Sequence, residues 1–545
     1  MLFPAVYFEE DMHKRIFCFL LLFVSAQAVL ILWLFPRCAA ALDNPEHAGF
    51  PEVMEMTLTD AVFLALRYNR SLESAYLDRV MQRFNLRQSL TKFHPNLSVS
   101  MDAGSKITDD STSYKEDGID GFRETTHQAE IGARASAVQK IPTGAEISFA
   151  WGNMARTAHS SYRDSPTQKT RPVDSDWRVN IRQPLLKGGG IDYNTASVVR
   201  ARLREEEAVR SMRDTVITTV SGVILDYRTL LRAYQDLKVQ EASLEKSREQ
   251  LEVLKALIAA GRRASNELIQ SEASLARQEL AVEEARSSLN DAQLSLLNKL
   301  NIGRDITVVP TEVVEYRHIV PDFEECLEIA FERNAGFHRA VNQIETARLD
   351  IVEASNQRLW DLSMDAEYRK GWHQRRVQPY DYTREAWSVG LSLNVPLPIY
   401  GDEKYSRESS LLSAEISSRK AEMNLQTIEE NLENEVRTAV RRVNSARKQV
   451  ELARRTREFS EQSFQVSELQ FRMGRISNHD YIQEQEKLRN DQLAENNAII
   501  AYENTLTSLD QLLATTLDTW EIEFIPQRAD LEEELLGSKT WMLGN

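Results

Sequence analysis

Two short stretches of similar sequence, each centred on a glycine, decide how the chain folds. Residues 260–270 read AGRRASNELIQ and residues 473–483 read MGRISNHDYIQ, with Gly, Arg and a final Ile-Gln in common. Each stretch interrupts a long helix-compatible run, and Ser, Asn or Asp residues that favour a new helix start follow each glycine. The sequence therefore predicts two helical hairpins that turn at Gly261 and Gly474.

The hairpins belong to a longer internal repeat. Residues 58–72 align with residues 323–337 at an offset of 265, which matches Asn69 with Asn334. Further along the chain the offset falls to 212, so the first copy holds about 53 additional residues before Pro184. One order of elements is used twice. We expect a first repeat at 42–302, a linker at 303–322 and a second repeat at 323–525.

Long proline-free stretches define the helices. No proline occurs between Pro184 and Pro310 or between Pro398 and Pro526, and apolar residues recur there in steps of three and four, as in a coiled-coil seam. The long helices would each measure about 100 Å at 1.5 Å per residue, and each would lie beside two coaxial shorter helices. The predicted helices are 58–93, 192–259, 264–302, 323–359, 402–472 and 478–517, and the two hairpins span 192–302 and 402–517.

The segments between the helices alternate in polarity with period two. Leu97, Val99 and Met101 share one face, and five of the eight Trp lie in or beside such segments. Strands of about ten residues with one apolar face and aromatic ends are typical of a transmembrane β-barrel. A soluble β-sandwich would show the same alternation. The predicted strands are 97–104, 176–184, 360–369 and 386–396, with an extra hairpin at 129–151.

Such a sheet would be too small to close alone. The smallest membrane barrels have about eight strands, and unpaired strand edges in lipid cost about several kcal/mol per polar group. We therefore expect the chain to assemble with copies of itself in contact with lipid.

The two ends of the chain fall outside the repeats. Lys14 and Arg15 precede an apolar run at 16–34 and the small residues 39–41, an order that predicts a signal peptide at 1–41. An uncleaved anchor helix is the alternative interpretation. Cys326 is then the only cysteine of the mature chain, so no internal disulfide is expected. Residues 526–545 form a C-terminal tail.

Composition excludes several classes of function. The 545 residues carry 82 acidic and 66 basic side chains, a net charge of -16 that disfavours nucleic acid as a partner. A mean hydropathy of -0.43 excludes a polytopic helical membrane protein. The nine His form no spaced ligand pair, and Gly188-Gly189-Gly190 is better explained as a strand-to-helix bend than as a phosphate loop. We expect neither an enzyme nor a cofactor or metal site.

Together these motifs resemble the TolC family of bacterial outer membrane efflux proteins over about residues 55–518. The resemblance rests on the repeat, on PLLKGGG at 184–190, on NVPLPIYG at 394–401 and on the hairpin turns. It implies a homotrimer with a 12-strand barrel, four strands per subunit, and a periplasmic α-barrel about 100 Å long. It also implies a periplasmic adaptor (membrane fusion) protein and an inner-membrane pump or transporter. The extra hairpin at 129–151 departs from the four-strand count, and either widens the barrel or decorates it.

The resemblance further implies a periplasmic gate at the hairpin tips. Asp480 matches an outer acidic ring, and Gln483 matches an inner one, with Glu484 beside it. Phe471 and Ile476 stand where the family's prototype uses Tyr and Arg for locking contacts, and Glu267 stands where it uses Asp. Three copies of Asp480 in a narrow throat would attract cations, although a helix-start carboxylate favoured by the dipole is the alternative. The adaptor is expected to dock around Gly261, Arg262, Gly474 and Arg475.

The predicted fold is thus mainly α with a transmembrane β-barrel: a long coiled-coil α-helical barrel continues from a β-barrel shared by three copies. The predicted function is the exit duct of a tripartite efflux or type I secretion system, a passive channel in the cell outer membrane with a long periplasmic extension. The alternative is an envelope coiled-coil scaffold anchored by an uncleaved N-terminal helix.

Overall fold

The computed structural model describes residues 53–112, 122–162, 165–170, 172–303, 306–312, 316–375, 380–395 and 402–524. The predicted signal peptide and the C-terminal tail at 526–545 lie outside these residues. The described chain is mainly helical, with one large sheet. None of its helices combines the length and the apolar character needed to cross a membrane.

Two very long helices organise the helical part. The helices in chain order are α1 Leu58–Tyr68, α2 Arg70–Leu90, α3 Ile191–Ala259, α4 Asn266–Leu300, α5 Phe323–Arg333, α6 Ala335–Arg358, α7 Asp402–Arg472, α8 Asn478–Leu512 and α9 Thr516–Thr519. The long ones are α3 and α7, of 69 and 71 residues, or about 100 Å each at 1.5 Å per residue.

Each long helix packs against two shorter ones. Within the first repeat α3 packs against α2 and α4, as α7 packs against α6 and α8 in the second, and α3 also packs against α6 and α8. The apolar seam of α7 includes Leu432, Val436, Val443 and Val450, all of them buried. The steps of four and seven residues between them keep one stripe of the helix against its neighbours. Packing within each repeat is therefore alike, and α3 in addition holds the two repeats together.

Both helices that precede the strands are interrupted, unlike the continuous helices predicted at 58–93 and 323–359. The interruptions fall at Asn69 and Asn334, the two residues matched by the repeat. Each has extended backbone and caps the following helix: the Asn69 side chain accepts from the backbone N–H of Ser71 at 2.9 Å, and the Asn334 side chain accepts from that of Phe337 at 3.0 Å. An asparagine cap satisfies helix-start N–H groups and so stabilises a new helix start.

The linker predicted at 303–322 takes part in a small sheet. Its strand β7, Thr307–Pro310, pairs in parallel with β1, Val53–Met56. Val308 and Met56 are buried in the core of the first repeat. The linker therefore ties the start of the described chain to the junction between the repeats.

The large sheet contains the other seven strands of the described chain. These are β2 Asn96–Thr112, β3 Phe122–Lys140, β4 Glu146–Tyr162, β5 Ser165–Thr170, β6 Pro172–Pro184, β8 Asp361–Arg375 and β9 Tyr380–Asn394. Their order is β2-β3-β4-β6-β8-β9, and β5 pairs with β4 beside this path. The pairs along the path are all antiparallel. The extra hairpin predicted at 129–151 corresponds to β3 and β4, and it lies inside the sheet between β2 and β6.

The two faces of the sheet differ sharply in chemistry. One face carries apolar side chains that remain highly exposed, such as Val99 at 75 %, Trp387 at 78 % and Leu391 at 72 %. The other face carries charges that pair across strands, as Arg178 does with Glu367 at 3.5 Å. Further pairs on this face are Arg156–Glu130, Arg182–Asp365 and Arg369–Asp176. A sheet with this contrast fits between lipid on one side and water on the other.

A tight turn fixes the β3–β4 hairpin to the strand-to-helix bend at Gly188–Gly190. The Gly190 N–H donates to the Thr143 carbonyl at 3.2 Å. Gly144 has φ +96°, and a Cβ placed on it would lie 2.4 Å from the Gly188 carbonyl oxygen. Both the left-handed backbone and the close approach require glycine at this position.

Gly144→Ala should therefore destabilise the protein. The expected loss is about 2–5 kcal/mol, since a left-handed non-glycine residue costs about 1–2 kcal/mol and overpacking about 1–3 kcal/mol more. The measurement is the unfolding midpoint of the purified protein. The matched control is Gly390→Ala in β9, where no atom lies within 4 Å of an added Cβ; equal midpoints for the two variants would contradict the assignment.

A buried ion pair joins the two repeats near their middle. Arg228 of α3 donates to the Glu503 carbonyl of α8 at 2.6 Å and to Thr507 Oγ1 at 2.7 Å. Its guanidinium also lies 3.3 Å from the Glu503 carboxylate, with side-chain exposures of 6 % and 3 %. Arg317 of the linker contacts the same carboxylate at 3.3 Å. Burial lowers the pKa of Arg228, and the Glu503 carboxylate opposes that shift.

Candidate functional site

The two hairpin turns have the same backbone geometry. In the first, the Gly261 N–H donates to the Ile258 carbonyl and the Arg262 N–H to the Leu257 carbonyl, both at 2.9 Å. In the second, the N–H groups of Gly474 and Arg475 make the equivalent bonds at 2.8 Å. These are Schellman motifs, and the glycines have φ +68° and +75°. The four residues predicted for adaptor docking thus lie at the two tips, and all four are exposed.

Asp480 occupies the first turn of α8, where it completes a capping box. The Asp480 N–H donates to Ser477 Oγ at 3.1 Å, and the Ser477 hydroxyl donates to Asp480 Oδ2 at 2.7 Å. The carboxylate remains exposed to solvent. Asp480 is therefore the N3 residue of a capping box whose N-cap is Ser477, and its exposed charge is also available near the tip.

Glu484, one turn further along α8, is half-buried within its own hairpin. Its Oε2 accepts a hydrogen bond from the Ser463 hydroxyl of α7 at 2.9 Å. The neighbouring Gln483 is exposed. The hydrogen bond points the Glu484 carboxylate toward α7.

Phe471 lies in a small apolar cluster that closes the second hairpin. The cluster consists of Phe464, Phe471, Tyr481 and Leu488, with Ile476 packed against it. The Phe471 and Tyr481 rings stack with centroids 4.7 Å apart. Burial, with the Glu468 carboxylate adding to the effect, raises the pKa of the Tyr481 phenol to about 12.

Glu267 lies beside Arg263, a residue that the sequence did not single out. The Arg263 guanidinium is 3.6 Å from the Glu267 carboxylate, with side-chain exposures of 11 % and 22 %. It also donates to the Ile476 carbonyl of the other hairpin and lies over the Phe471 ring at 5.4 Å from the centroid. Arg263 therefore joins the two hairpin tips of one subunit through a charge-assisted hydrogen bond and a cation–π contact.

Above the tips, a polar seam joins the two hairpins. Asn478 accepts from Gln250 Nε2 at 2.6 Å and donates to Ser271 Oγ at 2.9 Å. Seven residues further along α8, Gln485 donates to Ser247 Oγ at 3.0 Å. One helical turn beyond it, Arg489 donates to Gln278 Oε1 at 2.6 Å. Asn478, Gln485, Gln250 and Ser247 are buried.

The buried side chains of α3 become more polar toward the turn. On α3 the buried residues up to Ala233 are mostly apolar, whereas nearer the turn Ser243, Ser247 and Gln250 are buried together with Leu251 and Leu254. A seam that changes from apolar to polar is easier for water to open, because water replaces hydrogen bonds but cannot replace apolar contacts. Near the tips the contacts between the hairpins therefore mix polar groups with apolar ones such as Leu254, whereas the middle of the molecule is mainly apolar apart from the Arg228–Glu503 pair. Within the described residues, no three His, Cys, Asp or Glu side chains are grouped to hold a metal ion.

Comparison with known proteins gives one partial family match and several structures of the same fold. The family described as Outer membrane efflux protein matches residues 327–515, and no curated protein matches the sequence. The Campylobacter jejuni CmeC outer membrane channel superposes with a TM-score of 0.62 at 13% identity, covering 87% of this chain and 90% of its own. The Vibrio cholerae outer membrane protein VceC gives 0.59 at 17% identity, covering 84% and 95%. The open Neisseria gonorrhoeae MtrE outer membrane channel gives 0.58 at 13%, covering 86% and 91%.

The described chain therefore has the fold of the TolC-like outer membrane channels, and the mainly helical fold with a sheet is confirmed. Residues 327–515, within the second repeat, match the model of the outer membrane efflux protein family, so the resemblance noted from the sequence is confirmed as well. The matched family and the similar structures are channel proteins, not enzymes.

Proposed function

We propose that three copies of this chain form the outer membrane exit duct of a tripartite efflux or type I secretion system. The sheets of the three copies would join into one β-barrel in the cell outer membrane. The helices would continue it as a long periplasmic α-barrel, a passive channel gated at its tips. A periplasmic adaptor would bind the tips at Gly261, Arg262, Gly474 and Arg475 and connect the duct to an inner-membrane pump or transporter.

The observation that carries this proposal is the large sheet. Its apolar face is exposed, its charged face is paired across strands, and the outer edges of β2 and β9 have no strand partner in the described part of the chain. A soluble sheet would bury such an apolar face, because exposed apolar area costs about 25 cal/mol per Å². Lipid against the apolar face removes the cost of exposing it to water, and strands of neighbouring copies satisfy the unpaired backbone groups at the two edges.

The helical tips provide the gate of the proposed duct. Arg263 and the polar seam hold the two hairpins of a subunit together, and Phe471 lies in the apolar cluster against the Arg263 guanidinium. Asp480 would contribute one negative charge per subunit near the narrowest point, with Glu484 and Glu267 in supporting contacts. Separation of the hairpins would widen the throat.

Purification and planar-bilayer recording test the proposal. We expect the protein in the outer membrane fraction, as a detergent-dependent trimer that conducts ions when inserted in a bilayer. A stable monomer that dissolves without detergent would overturn the proposal. An intact N-terminus with no β signal in the membrane fraction would favour the scaffold alternative.

Removal of the charge of Asp480 should reduce cation selectivity. In Asp480→Asn the cation-to-anion permeability ratio is expected to fall by roughly three- to tenfold, since three charges several ångström from an ion are only partly screened by salt. The control is Ser477→Ala, which removes the cap hydroxyl and keeps the charge. If Ser477→Ala changed selectivity as much as Asp480→Asn, the role of Asp480 would be that of a cap alone.

A further inference from the structure

The β3–β4 hairpin is paired along nearly its whole length with strands on both sides. On one side β2 and β3 pair from Asn96↔Val138 to Thr112↔Phe122. On the other side β4 pairs with β6 from Glu146↔Arg182 to Ala155↔Val173 and beyond that with β5 from Ala158↔Thr170 to Tyr162↔Ser165. A hairpin that decorated a four-strand sheet would leave β2 to pair directly with β6. Here it separates them.

The two faces of the sheet continue across the hairpin without a break. On the apolar face, Trp151 of β4 lies between Ala135 of β3 and Trp177 of β6. On the charged face, Arg156 of β4 pairs with Glu130 of β3 at 3.6 Å, as Arg178 pairs with Glu367 between β6 and β8. The hairpin therefore has the chemistry of a wall segment with lipid on one side and water on the other.

The β3–β4 turn is also built into the base of the sheet. Thr143 and Gly144 contact the Gly188–Gly190 bend through the hydrogen bond from Gly190 and the close approach to Gly188 described above. In addition, the Thr143 hydroxyl donates to Gln183 Oε1 at 3.2 Å. The hairpin is thus anchored where the sheet meets the long helix α3.

We propose that each subunit contributes six strands to the wall, so that three copies close a barrel of 18 strands. The proposal rests on the proposed function. At each free edge of the sheet, the pairing strand comes from a second copy of this chain. Because successive strands along the path alternate in direction, β2 and β9 run in opposite directions. The β9 edge of one copy therefore meets the β2 edge of the next as an antiparallel pair, and the ring closes with the strands antiparallel throughout.

The strand number sets the width of the duct where it crosses the membrane. With strands about 4.8 Å apart and tilted by about 40°, 18 strands enclose a backbone diameter of about 36 Å, whereas 12 strands enclose about 24 Å. Single-channel conductance would not report this difference, because the closed tips lie in series with the barrel. The diameter itself must be measured.

A deletion tests the strand number. Removal of residues 113–164 takes out β3 and β4 and leaves residues 165–171 to connect β2 with β6. Electron-microscopic projections of lipid-embedded trimers should show a barrel diameter of about 36 Å for the full chain and about 24 Å for the deletion variant. Equal diameters near the smaller value would overturn the proposal while leaving the trimeric duct intact. Failure of the full chain to form trimers would instead overturn the proposed function.

Two cysteine pairs decide the question without any deletion. Both are placed in full-length trimers whose native cysteines are replaced by serine. The Ser98 and Ser136 hydroxyls lie 2.7 Å apart across β2 and β3, so Ser98→Cys with Ser136→Cys should oxidise to a disulfide within one subunit. Ser98→Cys with Asn180→Cys should not, because three strand spacings, about 14 Å, separate β2 from β6 and a disulfide needs Cβ atoms about 4 Å apart. The reverse result, a disulfide between positions 98 and 180 and free thiols in the first pair, would place the hairpin outside the wall.

Discussion

Arg263→Ala is expected to open the tips of the closed channel. Arg263 donates to the Ile476 carbonyl of the other hairpin and lies over Phe471. A hydrogen bond from a charged group contributes about 1.5–3 kcal/mol, so its loss should shift the closed-to-open equilibrium by about ten- to a hundredfold. The measurement is the time-averaged conductance of single trimers in planar bilayers, which should rise strongly in this variant.

The neighbouring residue supplies the control. Arg262 is exposed at the same turn, so Arg262→Ala removes an equal charge from the tip and should leave the conductance near that of the unchanged protein. A variant at 263 that folds, forms trimers and conducts no more than Arg262→Ala would show that other contacts keep the tips closed.

Glu503→Ala should be the most destabilising substitution considered. It leaves Arg228 buried without its carboxylate, and removal of one partner of a buried ion pair costs about 3–5 kcal/mol. The Arg317 contact is lost with it, but that side chain is 48 % exposed and can be hydrated. The measurement is the unfolding midpoint followed by helical circular dichroism.

Two further variants separate burial from charge. Glu345→Ala removes the partner of Arg348, a surface pair with exposures of 65 % and 49 %, and should change stability by less than about 1 kcal/mol. Arg228→Met combined with Glu503→Met replaces the buried pair by apolar side chains and should be more stable than Glu503→Ala. If Glu503→Ala were as mild as Glu345→Ala, the pair at 228 and 503 would not join the repeats energetically.

The sequence was informative where one residue type dictates the backbone. The proline-free stretches and the glycines at 261 and 474 predicted the long helices and their turns, because proline excludes a helix interior and a left-handed residue favours glycine. The alternation around Leu97 predicted strands by the same kind of local argument. These features need no knowledge of the neighbours in space.

The sequence was misleading where the neighbours decide. Asn69 and Asn334 are tolerated inside helices, so only their capping contacts reveal the two interruptions. Strand β7 was assigned to a linker because its partner β1 lies about 250 residues away in the chain. The position of the extra hairpin depends in the same way on pairing that no local pattern encodes.

The candidate gate shows a third kind of difference. Arg263, Gln250 and Ser247 are polar, so their types alone suggest a hydrated surface. The burial of Gln250 and Ser247 follows from the approach of the second hairpin, which supplies Asn478 and Gln485 as partners. Conversely, the resemblance predicted that Asp480 belongs to an acidic ring. Within one subunit, the contact that the structure shows for its carboxylate is the capping box with Ser477.

The shared geometry of the two hairpin turns has a stoichiometric consequence. In the proposed trimer six turns face the periplasm, three from each repeat, and each places an arginine directly after its left-handed glycine. A partner that recognises only this common element would have six equivalent binding sites on the trimer. A partner that also contacts a residue that differs between the hairpins, such as Asn266 in one and His479 in the other, would have three binding sites. The copy number of the bound partner therefore reports which part of the tip it recognises.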